Sequence, residues 1–227
     1  MGVAVLRDLR LLFGGVRDQG ARPTCLAFAA SDCHAALRDG WTPLSCEFAF
    51  YHAQRRAGLS PHTGSTLEAM LAALREDGQP IETDWPYLAA SPADFSIWTP
   101  PSRVGPVYRR AGKRRSGGFD EILALLEAGQ PALVLMMLSD AFYSPDLNGV
   151  VIAPTNEAPD PLRRHAVVAV AHGTLNNERV VLLRNSWGPG WGLSGQAWVT
   201  ESFLTPRLTC VAVLTEEVFV PTHRTAV

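Results

Sequence analysis

The apolar residues of this chain change period part-way along it, and that change restricts the fold more than any other feature. Over residues 25–77 they recur at helical spacing. An Ala-rich run over residues 25–37 follows Pro23 and Thr24 and stops at Arg38-Asp39-Gly40, which predicts a helix with Thr24 as N-cap and Gly40 just past its end. Residues 44–57 read as a second helix, with Phe48, Tyr51 and His52 at helical spacing and Gly58 closing it. Ser65 or Thr66 caps a third over 67–77, whose Leu67, Met70, Leu71 and Leu74 share one face. Residues 78–105, rich in Pro, Trp and short polar residues, read as loops wrapping the helical half. After a short helix over 119–128 the pattern is that of buried strands, at 132–138, 166–171, 180–183, 197–200 and 209–214. Helices followed by strands point to an α+β domain over residues 1–227, mainly helical over 1–107 and mainly β over 108–227.

With 227 residues and 47% apolar side chains the chain can bury a sizeable core. A net charge of -2 argues against nucleic acid as a partner, because that would call for a clearly basic face. No stretch approaches the ~20 apolar residues that a membrane span needs. Residues 1–13 are broken by Arg7, Asp8 and Arg10, so they lack the apolar centre of a secretory signal. The expectation is a cytoplasmic protein with no membrane partner. Its basic residues are 19 Arg and one Lys, Lys113, a bias that with the many Ala suggests a GC-rich bacterial genome. Five of those cations, Arg109, Arg110, Lys113, Arg114 and Arg115, crowd into seven residues and read as a solvated loop.

Three short segments carry the chemistry. They are Arg17-Asp18-Gln19-Gly20 leading to Thr24-Cys25-Leu26-Ala27-Phe28-Ala29, then His165-Ala166-Val167-Val168-Ala169-Val170, then Arg184-Asn185-Ser186-Trp187-Gly188. They supply a thiol nucleophile, a base to deprotonate it, an amide to orient the base and a second amide for an oxyanion, which is the set that acyl transfer needs. A free thiol with a pKa near ~8.5 is mostly protonated at neutral pH, so a nucleophilic Cys gains from a helix N-terminus and an imidazolium. Cys25 is placed at the first turn of the first helix. His165 opens the run 166–171 and is preferred as base over His172, which falls before Gly173 at an expected turn. His34, His52, His62 and His223 show no metal-ligand spacing, so neither a metal nor a cofactor is expected.

In order and surroundings these residues resemble the papain-like cysteine peptidases, the cathepsin family. Here 140 residues separate Cys25 from His165 and 160 separate it from Asn185. The resemblance is patchy. Where the family has Cys-Gly-Ser-Cys-Trp, this chain has Arg22-Pro23-Thr24-Cys25-Leu26. It implies a two-lobe fold, with a helical N-terminal lobe, an antiparallel β-barrel-like C-terminal lobe and the active site in the cleft between them.

The resemblance also assigns roles. Cys25, His165 and Asn185 would form the triad, Gln19 would donate to the oxyanion, and Trp187 would shield the Asn185 to His165 hydrogen bond. Gly64-Ser65 resembles the family's Gly-Gly, where bare backbone binds an extended peptide, although an ordinary helix cap accounts for it equally. Arg163-Arg164 stands where the family often has an acid or Asn, so Arg164 becomes a candidate substrate contact unless both arginines are solvated. The family's bridge partner three residues before the nucleophile is missing, since Arg22 is there. A nucleophilic Cys25 leaves Cys33, Cys46 and Cys210, an odd number that argues against disulfides, with Cys33 and Cys46 read as core residues. Members usually carry an inhibitory pro-segment. Only 18 residues precede Gln19, so none is expected here, which leaves room for a regulatory protein partner in its place. The implied activity is that of a cysteine endopeptidase acting on polypeptides through an acyl-enzyme. The same residues would serve an acyl transferase, isopeptidase or cyclase, and a catalytically silent peptide-binding relative is the alternative from another class.

Overall fold

In the computed structural model, which describes residues 2–218, the first long helix is α1 (Cys25–Ala36). Every residue from Leu26 to Ala36 is buried, so this helix has no solvent face. Its many alanines allow it to lie close on the strand β4 (Asp160–Leu175). Thr24 does not cap it by its side chain; its hydroxyl instead meets Tyr87 Oη at 2.7 Å. The helix also stops four residues short of Gly40, its last turn tightening through the Arg38 N–H to Ala35 carbonyl bond.

The second helix, α2 (Cys46–Ala57), begins after Ser45, whose hydroxyl accepts the Phe48 N–H at 3.1 Å, and ends at Gly58 with φ of 64°. Leu44 lies outside it because its backbone bridges to Ile81. In α3 (Leu67–Ala72) Thr66 is the cap, accepting the Ala69 N–H at 3.2 Å, and residues 73–77 continue as one π-helical turn.

Seven strands form one antiparallel sheet: β1 (Ala4–Asp8), β2 (Arg110–Arg115), β3 (Ala132–Leu138), β4, β5 (Glu178–Arg184), β6 (Gln196–Thr200) and β7 (Leu208–Glu217). The order is β2-β7-β3-β4-β5-β6, and β1 pairs with β4. Helix α4 (Phe119–Glu127) packs on the sheet, and the single-turn α5 (Glu201–Leu204) follows β6.

Three strands depart from the sequence reading. The basic stretch read as a loop is the edge strand β2, paired with β7 by backbone bonds that side-chain polarity does not reveal. Arg110 is buried there, donating to the Thr215 and Leu37 carbonyls. The charges that disguise the strand also suit a sheet edge, where Lys and Arg discourage pairing with another chain. β1 is exposed along its whole length and so lacks an apolar signature; it lies so close over Gly173 that a Cβ there would overlap the Ala4 carbonyl. β4 runs for 16 residues, so His165 lies inside the strand rather than at its start, and His172 lies in the strand too rather than at a turn.

One core fills the space between the helices and one face of the sheet, around Phe50, Met70, Trp98, Val168 and Leu182. A second lies on the α4 side, around Ile122, Leu126, Val134, Val167 and Leu183. No helix among the described residues is long and apolar enough to cross a membrane. His223 lies outside the described residues.

All four cysteines are free, and an ion pair occupies the place of the missing bridge. Arg22 and Glu47, with side chains 2% and 0% exposed, meet at 2.6 and 3.0 Å in a bidentate pair. Glu47 also accepts the Trp98 indole N–H and the Leu88 N–H, and Arg22 packs over Phe50 and Tyr87. Only Arg22 Nε is left without a partner, so the pair is held firmly, whereas removing one residue of it leaves a charge buried alone. Arg22→Ala is therefore expected to lower the unfolding free energy by about 3–5 kcal/mol, read as a fall in the urea midpoint. A midpoint unchanged within error would show that the pair contributes nothing.

Candidate active site

The N-terminus of α1 meets the middle of β4 in an open cleft, and both sequence motifs that converge there do so for local reasons. Residues 22–24 turn the chain so that Cys25 begins α1 with its thiol half-buried at the cleft. His165 stands opposite Met136 of β3, next to Ala166, whose backbone N–H bears on the Cys25 sulfur. Asn185 follows the last residue of β5, a neighbour of β4 in the sheet, which brings its side chain beside His165.

His165 Nε2 and Asn185 Oδ1 are 2.7 Å apart. The same oxygen accepts the Ser186 N–H at 2.8 Å, so Nε2 must be the donor and Nδ1 is left as the basic nitrogen of the ring. Trp187 lies against the imidazole with ring centroids 4.7 Å apart, and Tyr143 stacks on the outer side of Trp187 at 5.2 Å. Burial lowers the His165 pKa to about 4 against the opposing pull of the Asn185 bond. Neither Arg163 nor Arg164 is among the causes of that shift.

Burial likewise raises the Cys25 thiol pKa, overriding the backbone amides of Ala166, Leu26 and Cys25 that favour the thiolate. The helix N-terminus acts in the expected direction and is outweighed. Thiolate and imidazolium are each costly alone in this site. Formed together by one proton transfer they compensate each other, because the net charge of the site does not change.

Gln19 is pinned on both sides. Its backbone N–H bonds the Ser186 carbonyl at 2.8 Å, its Oε1 accepts the Ser186 hydroxyl at 2.7 Å and its carbonyl accepts Tyr87 Oη at 2.7 Å. Nε2 donates one proton to the Arg22 carbonyl at 2.9 Å, which leaves its second proton for a ligand. Ser186 thus holds both amides and Tyr87 the Gln19 backbone, and the sequence reading missed both residues. Ser186 could have been found from its place inside the Asn185 motif; Tyr87, in a Pro-rich loop, gave no signal.

Beneath these groups lies a further set that the sequence reading passed over. Asp32, on α1, takes Arg17 on Oδ1 at 2.6 Å and Arg184 on Oδ2 at 2.7 Å. Its signal was a carboxylate inside an Ala-rich buried helix, where a charge requires a partner.

The cleft has two arms that share Cys25, Gly64, Arg164 and His165. One, of about 410 Å³, includes Gln19, Trp187, Tyr143 and Arg163. The other, of about 500 Å³, includes Ser65, Glu68, Leu135, Met136, Arg114 and Cys210. Gly64, Ser65, Arg164 and Trp187 therefore all border the cleft, as the sequence reading placed them. Of the two arginines before His165, Arg163 is paired with Asp140 at 2.6 Å and Asp160 at 2.9 Å, and Arg164 is exposed.

The sequence model of the papain family of cysteine proteases matches residues 44–204, a span that contains His165 and Asn185 and begins after Cys25. The chain belongs to that family. Among curated relatives of this papain-family chain, a cysteine protease of Blomia tropicalis is 25% identical over 197 residues, covering 81% of the chain and 56% of that protein. Chymopapain of Carica papaya is 35% identical over 95 residues, 41% of the chain and 26% of its own length. The chain spans about half the length of the first of these and a quarter of the second. Among solved structures, xylellain, a cysteine protease from Xylella fastidiosa, superposes with a TM-score of 0.74 at 21% identity, over 93% of this chain and 87% of its own. Digestive procathepsin L 3 of Tenebrio molitor gives 0.75 at 20% identity, over 95% and 71%. At these identities the superpositions establish the two-lobe fold.

Since burial under Trp187 holds the His165 pKa down, Trp187→Ala is expected to rehydrate the ring and raise that pKa from about 4 toward ~6.5. An NMR titration of the imidazole in a Cys25→Ala background, which removes the thiol as a titrating neighbour, reads the change. An unaltered value would show that Trp187 does not shield the ring.

Proposed function

We propose that the chain is a cysteine endopeptidase working through Cys25, His165 and Asn185 by way of an acyl-enzyme. The observation that carries this reading is the 2.7 Å His165–Asn185 bond beneath Trp187, which leaves Nδ1 as the free base in the cleft that Cys25 borders. Nδ1 takes the thiol proton as Sγ bonds to the scissile carbonyl carbon, and the carbonyl electrons move onto oxygen. The Cys25 backbone N–H and the second Gln19 Nε2 proton receive that oxyanion. The carbon–nitrogen bond then breaks, and the imidazolium hands its proton to the leaving amine. A water attacks the thioester with His165 again as base; the carbon–sulfur bond breaks and Cys25 regains its proton.

Cys25→Ser and Cys25→Ala are expected to abolish peptide hydrolysis with little loss of stability, and turnover by Cys25→Ala would overturn the assignment. Gln19→Ala should slow hydrolysis by roughly 10²–10³ with little change in substrate affinity, and full activity would misplace the oxyanion site. His165→Ala tests the base directly. Because burial raises the thiol pKa, alkylation of Cys25 in that variant is expected to become fast only at alkaline pH, while wild type reacts near neutrality. Equal profiles would remove His165 from the mechanism.

Arg164, exposed at the cleft without the acidic partners that occupy Arg163, supports a preference for acidic residues on the leaving-group side of the scissile bond. That preference should weaken as salt is raised and vanish in Arg164→Ala, as measured with a peptide library. A library profile that ignores both changes would show Arg164 to be idle.

A further inference from the structure

The 500 Å³ arm of the cleft carries a cation that the catalytic scheme does not use. Its walls come from four strands and two helix starts, that of α1 giving Cys25 and Leu26. β4 contributes Arg164, His165 and Ala166, β3 contributes Leu135 and Met136, β7 contributes Thr209 and Cys210, and β2 contributes Arg114. Gly64, Ser65 and the first residues of α3 face them.

The body of this arm is apolar, through Leu26, Leu67, Leu135, Met136 and Ala166, and charge is confined to its ends. Arg164 stands at the Cys25 end, where the two arms join. At the far end Arg114 projects from the edge strand whose residue 114 pairs with Ala212, one strand away from the Leu135–Cys210 pair. Arg114 is exposed and makes no ion pair with the described residues, its polar contact being the Cys210 thiol, although its neighbour Arg115 is bound to Glu121. Glu68 is the one carboxylate in the arm, on the opposite wall in the first turn of α3. Both charges act on the Cys210 thiol: burial raises its pKa most, Arg114 lowers it and Glu68 raises it.

We infer that Arg114 determines specificity, and that this arm takes a substrate side chain with an apolar stem and a terminal carboxylate, Glu or Asp, on the acyl side of the scissile bond. The inference rests on the peptidase reading. The stem lies between Leu67 and Met136 and the carboxylate meets a guanidinium that has no carboxylate partner. A lysine in the same place meets a cation of its own sign, with only Glu68 across the arm in compensation. Substrates carrying acids on both sides of the cut are then the best matched, because Arg114 lies at the far end of this arm whereas Arg164, where the two arms join, also borders the other arm.

The test uses quenched peptides that differ only in having Glu, Gln or Lys at each acyl-side position, and thiol-directed epoxides carrying the same three side chains. Both are measured on the full chain as wild type, Arg114→Ala, Arg114→Glu and Glu68→Gln. At low salt wild type should favour Glu over Gln at one position by about two- to fivefold in kcat/KM and in epoxide inactivation rate, the range for one partly exposed charge pair. Arg114→Ala should erase the preference, Arg114→Glu should turn it toward Lys, and Glu68→Gln should enlarge it. Equal rates on the three side chains, or a Glu preference that survives in Arg114→Ala, would overturn the inference while leaving the peptidase reading intact. A wild-type protein that neither cleaves any peptide nor reacts at Cys25 would overturn both. The epoxide rates keep the two cases apart, since they require an activated Cys25 and not turnover.

Discussion

The carboxylate of Asp32 holds together the three segments on which the active site depends. It lies on α1, two turns from Cys25, and takes two guanidinium groups from segments 167 residues apart, Arg17 and Arg184. Arg17 is two residues from Gln19, and Arg184 is the residue before Asn185. Asp32 and Arg184 are buried and Arg17 is half-buried, and a fourth charge, Glu82, meets Arg17 at 3.4 Å, which makes the cluster neutral. The remaining nitrogens of Arg184 go to the Gly14 and Gly15 carbonyls and that of Arg17 to the Leu44 carbonyl. A buried charge without its partner is strongly unfavourable, so the cluster is complete or the segments separate. That condition sets Cys25, Gln19 and Asn185, the proposed nucleophile, oxyanion donor and orienting amide, in fixed relation.

A second ion pair does for the loop before Cys25 what a covalent bridge would otherwise do. Arg22 reaches Glu47 on α2, and the carbonyl of the same Arg22 accepts from Gln19 Nε2. One residue thereby ties the loop to the helical core and aims the oxyanion donor. The tie does not depend on thiol oxidation. In return it requires Glu47, the Trp98 indole and the Leu88 backbone to be in place before the charges can be buried.

Legibility in the sequence followed burial. β3 was read with its boundaries correct, since an unbroken apolar run between a Pro and a Ser has few other uses. β2 was read as a loop and β1 was not read at all, because edge and exposed strands are held by backbone bonds to a neighbour and need no apolar pattern. β4 was read too short for a related reason. Its first residues, 160–164, are polar or exposed and join the sheet through pairing with β3, which moved His165 into the strand interior. His172 shows the same effect of context: it is buried on β4 with Nε2 2.7 Å from Glu127 of α4, on a different neighbour from the one that faces His165.

What the sequence by itself determined about this protein was its division into a helical half and a strand-rich half and the candidate reactive residues. Both are local properties. Periodicity records which face of a segment is apolar, and a Cys, His, Asn and Gln carry their chemistry wherever they stand. Only the tertiary structure decided which groups act on one another. It placed Ser186 and Tyr87 as the clamps on Gln19, withdrew Arg163 into ion pairs while leaving Arg164 at the cleft, and carried Arg114 from a stretch that reads as solvated loop to the end of the substrate arm. Such pairings join residues up to 170 positions apart through strand register and buried charge, and neither leaves a periodic trace along the chain.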